Sequence, residues 1–535
     1  MLPPLLIRLW PWLCAILSGV LLTLCFAPWN QGWLCWIALT PLIAAILFSD
    51  GGKRRGLRHG MLGYVAGFVF FTSTFHWLST ALSKLYENPW LLALAPLVAM
   101  IFGCYYALWS WFLGTILVPD ENARRFSTSL RNLGVAAAAS CAWVMHEWVR
   151  EWLFGGFGWN PLGVALHRDL AMIQIVDLTG VAGLTFLIAF CNLMAVIIVR
   201  RIIGELGSTF LKRVRWEFSF TVAFVALVFA YGVRTLMRGP ERDTTPLQVV
   251  ALQPNIPQTE KFDPEMEDAI FAKLGELTSL ASLTQPAPQL VLWPEASTPR
   301  GMFADEVNYD FVMKQVASGE FGLLIGTIDG DPTLGEAYNT AALLTAGGKE
   351  QQLYRKMHLV PFGEYLPLRP LFAGFVGQLV PADFTAGTES AVFELGKPSV
   401  RLAPLICFED TLGDLTRIFV KRGAQLLVNL TNDGWFLESP AAEQHLANAL
   451  FRAVENRRPL VRCANTGVTC AVDTFGRVNR GSLGPFQQGF AAFSIDVPVT
   501  QSLTFYTRNG ELVAYISTAV TVLILATWLI RRRRR

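Results

Sequence analysis

Three residues in the second half of the chain have side chains that together can move an acyl group: Glu295 in "QLVLWPEAS", Lys356 in "QQLYRKMHLVPFGEY" and Cys407 in "RLAPLICFED". Each follows an apolar run and precedes a proline-rich or acidic turn. A thiol can attack a carbonyl, a carboxylate can take its proton, and an ammonium can stabilise the negative charge that develops. An unperturbed cysteine titrates at about 8.5, so a neighbouring lysine is expected to enrich the thiolate. Each residue alone also has a plainer structural reading. Glu295 could cap its turn, Lys356 could line a strand edge, and a free cysteine is commonly a small core residue. That last reading suits Cys463 and Cys470, which are equally flanked by apolar residues. It is the set, in this order, that points to chemistry.

For the three to meet, their strands must end at one edge of a rigid scaffold, with open loops above them. The stretch after Arg242 has the pattern to build one. "LQVVALQPNI", "QLVLWPEAS", "FGLLIGTID", "NTAALLTA", "QQLYRKMHLVPFGEY", "RLAPLICFED" and "AQLLVNLTND" read as strands, and "LVRCANTGVTCAVDTFG" as a hairpin. "PEMEDAIFAKLGELTSLAS", "GDLTRIFVKRG" and "AAEQHLANALFRAVENRRP" have helical periodicity. Buried strands alternating with helices predict an α/β class.

The remainder reads as membrane. The chain is 53% hydrophobic and 16% charged, well under the usual charged share of about a quarter. Runs long enough to span a bilayer, about 20 residues, fall at 9–28, 32–49, 60–81, 91–117, 134–153, 180–200, 217–236 and 511–530. The expected organisation is a seven-helix membrane domain over 1–236, a catalytic domain over 243–505, an eighth helix at 511–530 and a basic tail at 531–535. "GGKRRGLRHG", Arg124, Arg125 and Arg131, then Arg200, Arg201, Lys212, Arg213 and Arg215, and finally Arg531 to Arg535 all fall on one side of such a chain. The positive-inside rule makes that side cytoplasmic. Both termini are then expected inside and the catalytic domain outside, which in a bacterium is the periplasm of the inner membrane. The first span lacks a small-residue cleavage site and is expected to stay as a helix.

Other classes are disfavoured. The nine cysteines include no C-x-x-C pair and six lie in apolar stretches before residue 200, which suits neither a disulfide scaffold nor zinc. His146-Glu147 is half of a zinc-protease pattern, but Arg150 occupies the second histidine position. A solvated structural role near the interface is expected for His146. No glycine-rich nucleotide loop is evident, no cofactor is expected, and the arginine tail reads as a stop-transfer anchor rather than a nucleic-acid contact. No internal repeat suggests a transporter. "GYVAG", Gly63 to Gly67, has the spacing that lets helices approach closely. "EWLFGGFGWNPLGVALHRDL", with Trp152, Phe154, Phe157 and Trp159, is expected to form a floor beneath the outer domain.

"WPEAS", "YRKMHLVPFGEYLP" and "LICFED" resemble the Glu, Lys and Cys motifs of the nitrilase superfamily, and "VNLTNDGWF" and "NTGVTCAVDTFGR" its later segments. With the membrane arrangement, "GFGWNPLG" and "GVAGLTFLIAFCN", the chain is similar over nearly its whole length to the membrane branch of that superfamily, the bacterial apolipoprotein N-acyltransferases. The resemblance implies an αββα sandwich inserted between the seventh and eighth helices. It implies transfer of a fatty acyl chain from a phospholipid, with phosphatidylethanolamine the expected donor, to the α-amino group of the diacylglyceryl-cysteine that begins an apolipoprotein. The reaction would be ping-pong through a thioester on Cys407, with Glu295 as base and then acid. Lys356 would stabilise the oxyanion, with the backbone N–H of Phe408. Glu364, Glu409 and Asn339 match supporting residues, and Trp435 and Phe262 match aromatics of the substrate cleft. Two positions depart from the pattern: Phe408 stands where tyrosine is frequent, and Phe262 where tryptophan is frequent.

Both implied substrates are lipids, so the site should open toward a membrane surface. Tyr365 to Phe384 is long, apolar and without clear periodicity, and such loops are usually functional. Leu368, Leu371, Phe372, Phe375, Val376 and Leu379 are expected to form a lid that admits lipid chains. The competing reading is a membrane-tethered amidase that uses the same three residues with water as acceptor.

Overall fold

The computed structural model describes residues 4–49, 54–118, 128–153, 156–204, 210–331, 335–348, 350–370, 374, 382–500 and 502–534. It divides into two compact units: Met1–Glu151 with Gly158–Met237 and Glu511–Arg535, and Trp152–Phe157 with Arg238–Gly510.

The first unit is helical among the described residues. Among the described residues, four helices are long and apolar enough to cross a membrane: Pro89–Leu117, Val176–Ile203, Trp216–Arg238 and Leu512–Arg533. Arg55–Thr74 and His76–Leu85, bent by 42° at their junction, add a fifth if they form one span. The runs expected at 9–28 and 32–49 form the shorter apolar helices Arg8–Leu24 and Gly32–Phe48. The run expected at 134–153 lies in the Ser129–Trp152 helix, whose charged residues set it apart from the other four.

Close helix packing in this unit has a sequence cause. A Cβ at Gly63 would lie 2.3 Å from the Tyr106 carbonyl oxygen, and one at Gly67 would lie 3.1 Å from Gly103 Cα. The glycines of "GYVAG" thus let the Arg55–Thr74 and Leu94–Trp111 helices approach backbone to backbone. The charges of the Ser129–Trp152 helix are matched internally. Glu147 accepts hydrogen bonds from Trp143 Nε1, the Leu162 N–H and the Thr185 hydroxyl, all at 2.9 Å. Arg150 donates to the Trp159 carbonyl at 2.8 Å and lies over the Phe71 ring. The solvated position expected for His146 is corrected: its ring is buried against those of Tyr106 and Trp143. Neighbouring aromatics, rather than water, fill the space around it.

The second unit contains strands β1 (Thr244–Gln253), β2 (Leu290–Leu292), β3 (Gly322–Asp331), β4 (Glu336–Leu344), β5 (Gln351–Arg355), β6 (Phe393–Glu394), β7 (Arg401–Ile406), β8 (Leu426–Thr431), β9 (Leu460–Ala464), β10 (Cys470–Val472) and β11 (Gly489–Pro498). They form two sheets, ordered β11-β1-β2-β3-β4-β5 and β10-β9-β8-β7-β6. β1, β2 and β3 are parallel neighbours, as are β7, β8 and β9. Their unbroken apolar runs fit this, because a parallel strand is covered on both faces. The sheets pack face to face: Cys463 Sγ on β9 reaches the carbonyls of Leu252 and Leu292 in the other sheet at 3.2 and 3.4 Å. This is the structural reading that suited Cys463 in the sequence.

Helices cover the outer faces. Ile270, Leu274 and Leu277 of the Glu267–Ser282 helix and Val312 and Val316 of the Glu306–Ala317 helix pack with Trp293, Val291 and Leu323. Each fully buried aliphatic side chain of this kind contributes about 1.5–3 kcal/mol. The Gly413–Lys421 and Ala441–Asn456 helices cover the second sheet. The result is an αββα sandwich. The Glu306–Ala317 helix and β11 are additions to the elements legible in the sequence. Asp305 caps that helix by accepting from the Asn308 N–H at 3.0 Å. β11 pairs antiparallel along the full length of β1, from Thr244 opposite Pro498 to Gln253 opposite Gly489. The unit's chain entry and exit therefore lie side by side.

Candidate active site

The three reactive residues emerge from strand ends. Lys356 directly follows β5, Cys407 directly follows β7, and Glu295 lies three residues beyond β2 after a Trp-Pro pair. Pro294 ends the strand, and Gly326 on β3 makes room for the turn. A Cβ at Gly326 would sit 2.5 Å from Glu295 Cα.

A chain of charge-assisted hydrogen bonds joins the polar residues. Asn339 on β4 donates from Nδ2 to Glu295 Oε1 at 2.7 Å and to Glu364 Oε1 at 2.9 Å. Lys356 donates to Glu364 at 2.8 Å, and its Nζ lies 3.9 Å from Glu295 Oε1. The Asn432 backbone N–H, just past β8, donates to Glu295 Oε2 at 2.8 Å, and the Val360 N–H donates to Glu364 Oε2 at 2.8 Å. Both carboxylates are thus held at both oxygens, at one by Asn339 on β4 and at the other by a backbone N–H. Lys356 is buried. Burial alone would lower its pKa, but Glu364 first, then Glu295, Cys407 and Glu409 outweigh it and push the ammonium above its ordinary value. It therefore stays charged.

Cys407 opens a short turn, Cys407–Thr411, with φ +52°. A left-handed backbone at a residue with a side chain is strained and persists only where its surroundings hold it. Two groups do so here. Asn429 Nδ2 on β8 donates to the Cys407 carbonyl at 2.9 Å. Glu409 accepts from the Ile406 N–H at 2.9 Å, and with its other oxygen from the Tyr354 hydroxyl and the Met357 and His358 N–H groups at 2.8, 2.8 and 3.0 Å. Glu409 thus ties the Cys407 turn to the segment that follows Lys356. Burial, opposed by Lys356, raises its pKa.

The thiolate enrichment expected from the lysine does not follow from this geometry. Burial, then the Glu295 carboxylate, pushes the Cys407 thiol far above its usual range. Lys356 and a hydrogen bond with Thr431 pull the other way and are outweighed. At rest the sulfur keeps its proton, so a base must remove it during attack. The Glu295 carboxyl group in the same site suits that task.

The remaining candidates divide. Phe408 is buried and its ring stacks on Phe157, 5.2 Å between centroids and 8° from parallel. Phe157 belongs to this unit. Phe262 and Trp435 are exposed on the turns after β1 and β8. Phe372 and Phe375, with Leu371, Val376 and Leu379 of the expected lid, lie outside the described residues, while Leu368 is described and exposed.

Several site residues left no mark in the motif reading. Lys261 donates from Nζ to the Glu295 carbonyl at 2.8 Å. Beneath the Cys407 turn, His445 lies with its ring nitrogens 2.9 Å from Asp410 Oδ1 and Asp433 Oδ1, and Arg462 pairs with Asp410. These buried groups link the Cys407 turn to the Asn432–Asp433 turn that holds Glu295. The sequence signal available was an arginine in the apolar strand β9, a histidine in a polar-faced helix and a lysine in a polar turn, and nothing in their spacing joins them. No group of three or more His, Cys, Asp or Glu residues suited to a metal occurs among the described residues.

Comparison with known proteins agrees with this architecture. Residues 18–194 match the apolipoprotein N-acyltransferase N-terminal domain and residues 249–505 match carbon-nitrogen hydrolase. A protein of Geobacter metallireducens named apolipoprotein N-acyltransferase is 34% identical over 96% of this chain and 94% of its own length. Proteins of the same name from Brucella melitensis and Rhodopseudomonas palustris are 31% and 30% identical, covering 88% and 98% of this chain and 87% and 96% of their own lengths. Among solved structures, Saccharomyces cerevisiae Nit3, of branch 10 of the nitrilase superfamily, aligns at TM-score 0.38 and 16% identity over 53% of this chain and 97% of its own. An amidase from Nesterenkonia sp. aligns at TM-score 0.38 and 18% identity over 52% and 97%.

Proposed function

The chain belongs to the apolipoprotein N-acyltransferase family, and from that premise we propose that it moves a fatty acyl chain from a phospholipid to the α-amino group of an apolipoprotein's diacylglyceryl-cysteine through a thioester on Cys407. The observation that supports this most is the pairing of a protonated, desolvated thiol on a strained turn with the Glu295–Asn339–Glu364–Lys356 network.

In the first half-reaction, Cys407 Sγ attacks the ester carbonyl of the donor while Glu295 takes the thiol proton. Lys356 neutralises the oxyanion, and the N–H of Phe408 is proposed to share it. Collapse breaks the ester C–O bond. The departing lysophospholipid oxygen takes the proton from Glu295, leaving the thioester. In the second half-reaction the α-amine of the acceptor attacks the thioester and gives a proton to Glu295. The Cys407 sulfur leaves and recovers that proton as the amide forms. Asn339 and Glu364 hold the base and the cation in register. Trp435 and Phe262 offer apolar contact to the lipid chains, and phosphatidylethanolamine is the proposed donor.

The apolar helices make this a membrane-bound protein of a bacterial family. The finer topology is part of the proposal: eight spans, both termini cytoplasmic, and the sandwich in the periplasm. Support comes from the one-sided basic loops and from the adjacent entry and exit strands of the second unit. Intact mass after incubation with phosphatidylethanolamine tests the chemistry. A hydroxylamine-labile gain of one acyl chain, absent from Cys407→Ala and discharged by a diacylated lipopeptide, is expected. Discharge by water at the same rate with and without the peptide would favour the amidase reading instead.

A further inference from the structure

Lys261 has no place in the reaction just described, yet it is built into the site. It follows β1 on the turn that exposes Phe262, and it is 1% exposed. Its N–H donates to the Pro257 carbonyl at 3.1 Å, and its Nζ donates to the main-chain carbonyl of Glu295 at 2.8 Å. A buried ammonium is costly unless charge or hydrogen bonds compensate it. The partner here is the main chain of the base itself, with the charges of Glu295 and Cys407 nearby.

The charge inventory explains why a second cation would be kept there. Glu295, Glu364 and Glu409 all act on Lys356, so the carboxylates outnumber the one ammonium among them. Burial pulls Lys261 down to about 8, while Glu295 and Cys407 hold it up. Its charge therefore depends on the two groups that exchange the proton.

We propose that Lys261 is a positioning residue of the same reaction: its ammonium pins the main chain of Glu295 and supplies the second positive charge that allows Cys407 to ionise beside that carboxylate. The claim rests on the assignment of Cys407 as nucleophile and Glu295 as base. It differs from the role of Lys356, which faces the carboxylate side chains. Lys261 acts from behind the base and meets its backbone.

The test reads Cys407 directly and needs no lipid. The full-length protein in detergent is labelled with iodoacetamide across a pH series, and the Cys407 peptide is quantified by mass spectrometry. Lys261→Met keeps the apolar stem and removes the charge. Below about pH 8, where Lys261 is charged, it is expected to label about tenfold more slowly, the effect of losing a close opposite charge, and above that pH the two rates should converge, with a melting temperature near that of the parent. Acyl-enzyme formation from phosphatidylethanolamine should slow in parallel, with little change in donor KM. Lys261→Arg, which keeps its charge at all accessible pH values, serves if the methionine variant fails to fold. The parent profile should show an inflection near the Lys261 value of about 8, and the arginine variant should lack it. Parent-like labelling in Lys261→Met, or coincident profiles for parent and Lys261→Arg, would overturn the proposal. If Cys407 labels as expected but takes no acyl chain from the phospholipid, the acyl-transfer reading fails while the role of Lys261 stands.

Discussion

At the scale of single residues, the site works by keeping opposite charges dry and fixed. Glu295 is held by Asn339 on one oxygen and by the Asn432 N–H on the other, so it can accept a proton without moving. Glu295→Gln should abolish thioester formation, a loss of about 10²–10⁴-fold as is usual for a positioned base, with intact mass as the readout. Asn339→Leu removes the bridge between Glu295 and Glu364. Hydrogen bonds to charged groups contribute about 1.5–3 kcal/mol, so acyl-enzyme formation should slow by about ten- to a hundredfold in single-turnover assays. Because burial and Glu295 raise the Cys407 thiol, its thiolate fraction is small at neutral pH and grows as pH rises. Alkylation of Cys407 should therefore climb through about pH 10 without a plateau. Labelling that saturates near the ordinary thiol value and rises no further above pH 9 would contradict the desolvation of the sulfur.

At the scale of elements, two short contacts decide where the strand ends point. Glu409 gathers donors from β5, from the segment after Lys356 and from β7. Tyr354→Phe deletes one of them and leaves a carboxylate oxygen less satisfied, at a cost of about 1–3 kcal/mol. Thermal unfolding of the sandwich should begin at lower temperature, and the Cys407 turn should loosen with it. In the helical unit, Gly63→Ile drives a branched side chain into the Tyr106 carbonyl. Overpacking of this kind costs about 1–3 kcal/mol, and melting in detergent reads it. The motif was legible in the sequence because small-residue spacing is periodic. The Glu409 tether was not, because three of its donors, the Tyr354 hydroxyl and the Met357 and His358 N–H groups, lie more than 50 residues away along the chain.

At the scale of the whole molecule, the proposed orientation makes distinct demands on the two units. The exposed hairpin tip at Arg480 should be reachable from outside the cell membrane, and the arginine tail should not. Arg480→Cys in spheroplasts should react with a membrane-impermeant maleimide, and Arg533→Cys should react only after permeabilisation. Labelling of both before permeabilisation, or of the tail alone, would reverse the topology. The pairing of β1 with β11 makes such an insertion geometrically simple, because the sandwich begins and ends on adjacent strands.

Periodicity, composition and local motifs are properties of the chain itself, and they determined a great deal about this protein. Apolar run length marked the membrane part, unbroken apolar strands marked the buried parallel sheets, and the Glu, Lys and Cys motifs marked the strand ends. Only the tertiary structure decided what those residues do to one another. It turned the expected thiolate into a protonated thiol, because burial outweighs one lysine when a carboxylate stands beside the sulfur. It buried His146 among aromatic rings, paired β11 with β1, and set Lys261 behind Glu295. Such outcomes depend on distances between segments far apart in the chain. No local pattern encodes a distance of that kind, since many sequences place the same residue types in the same order without bringing them together.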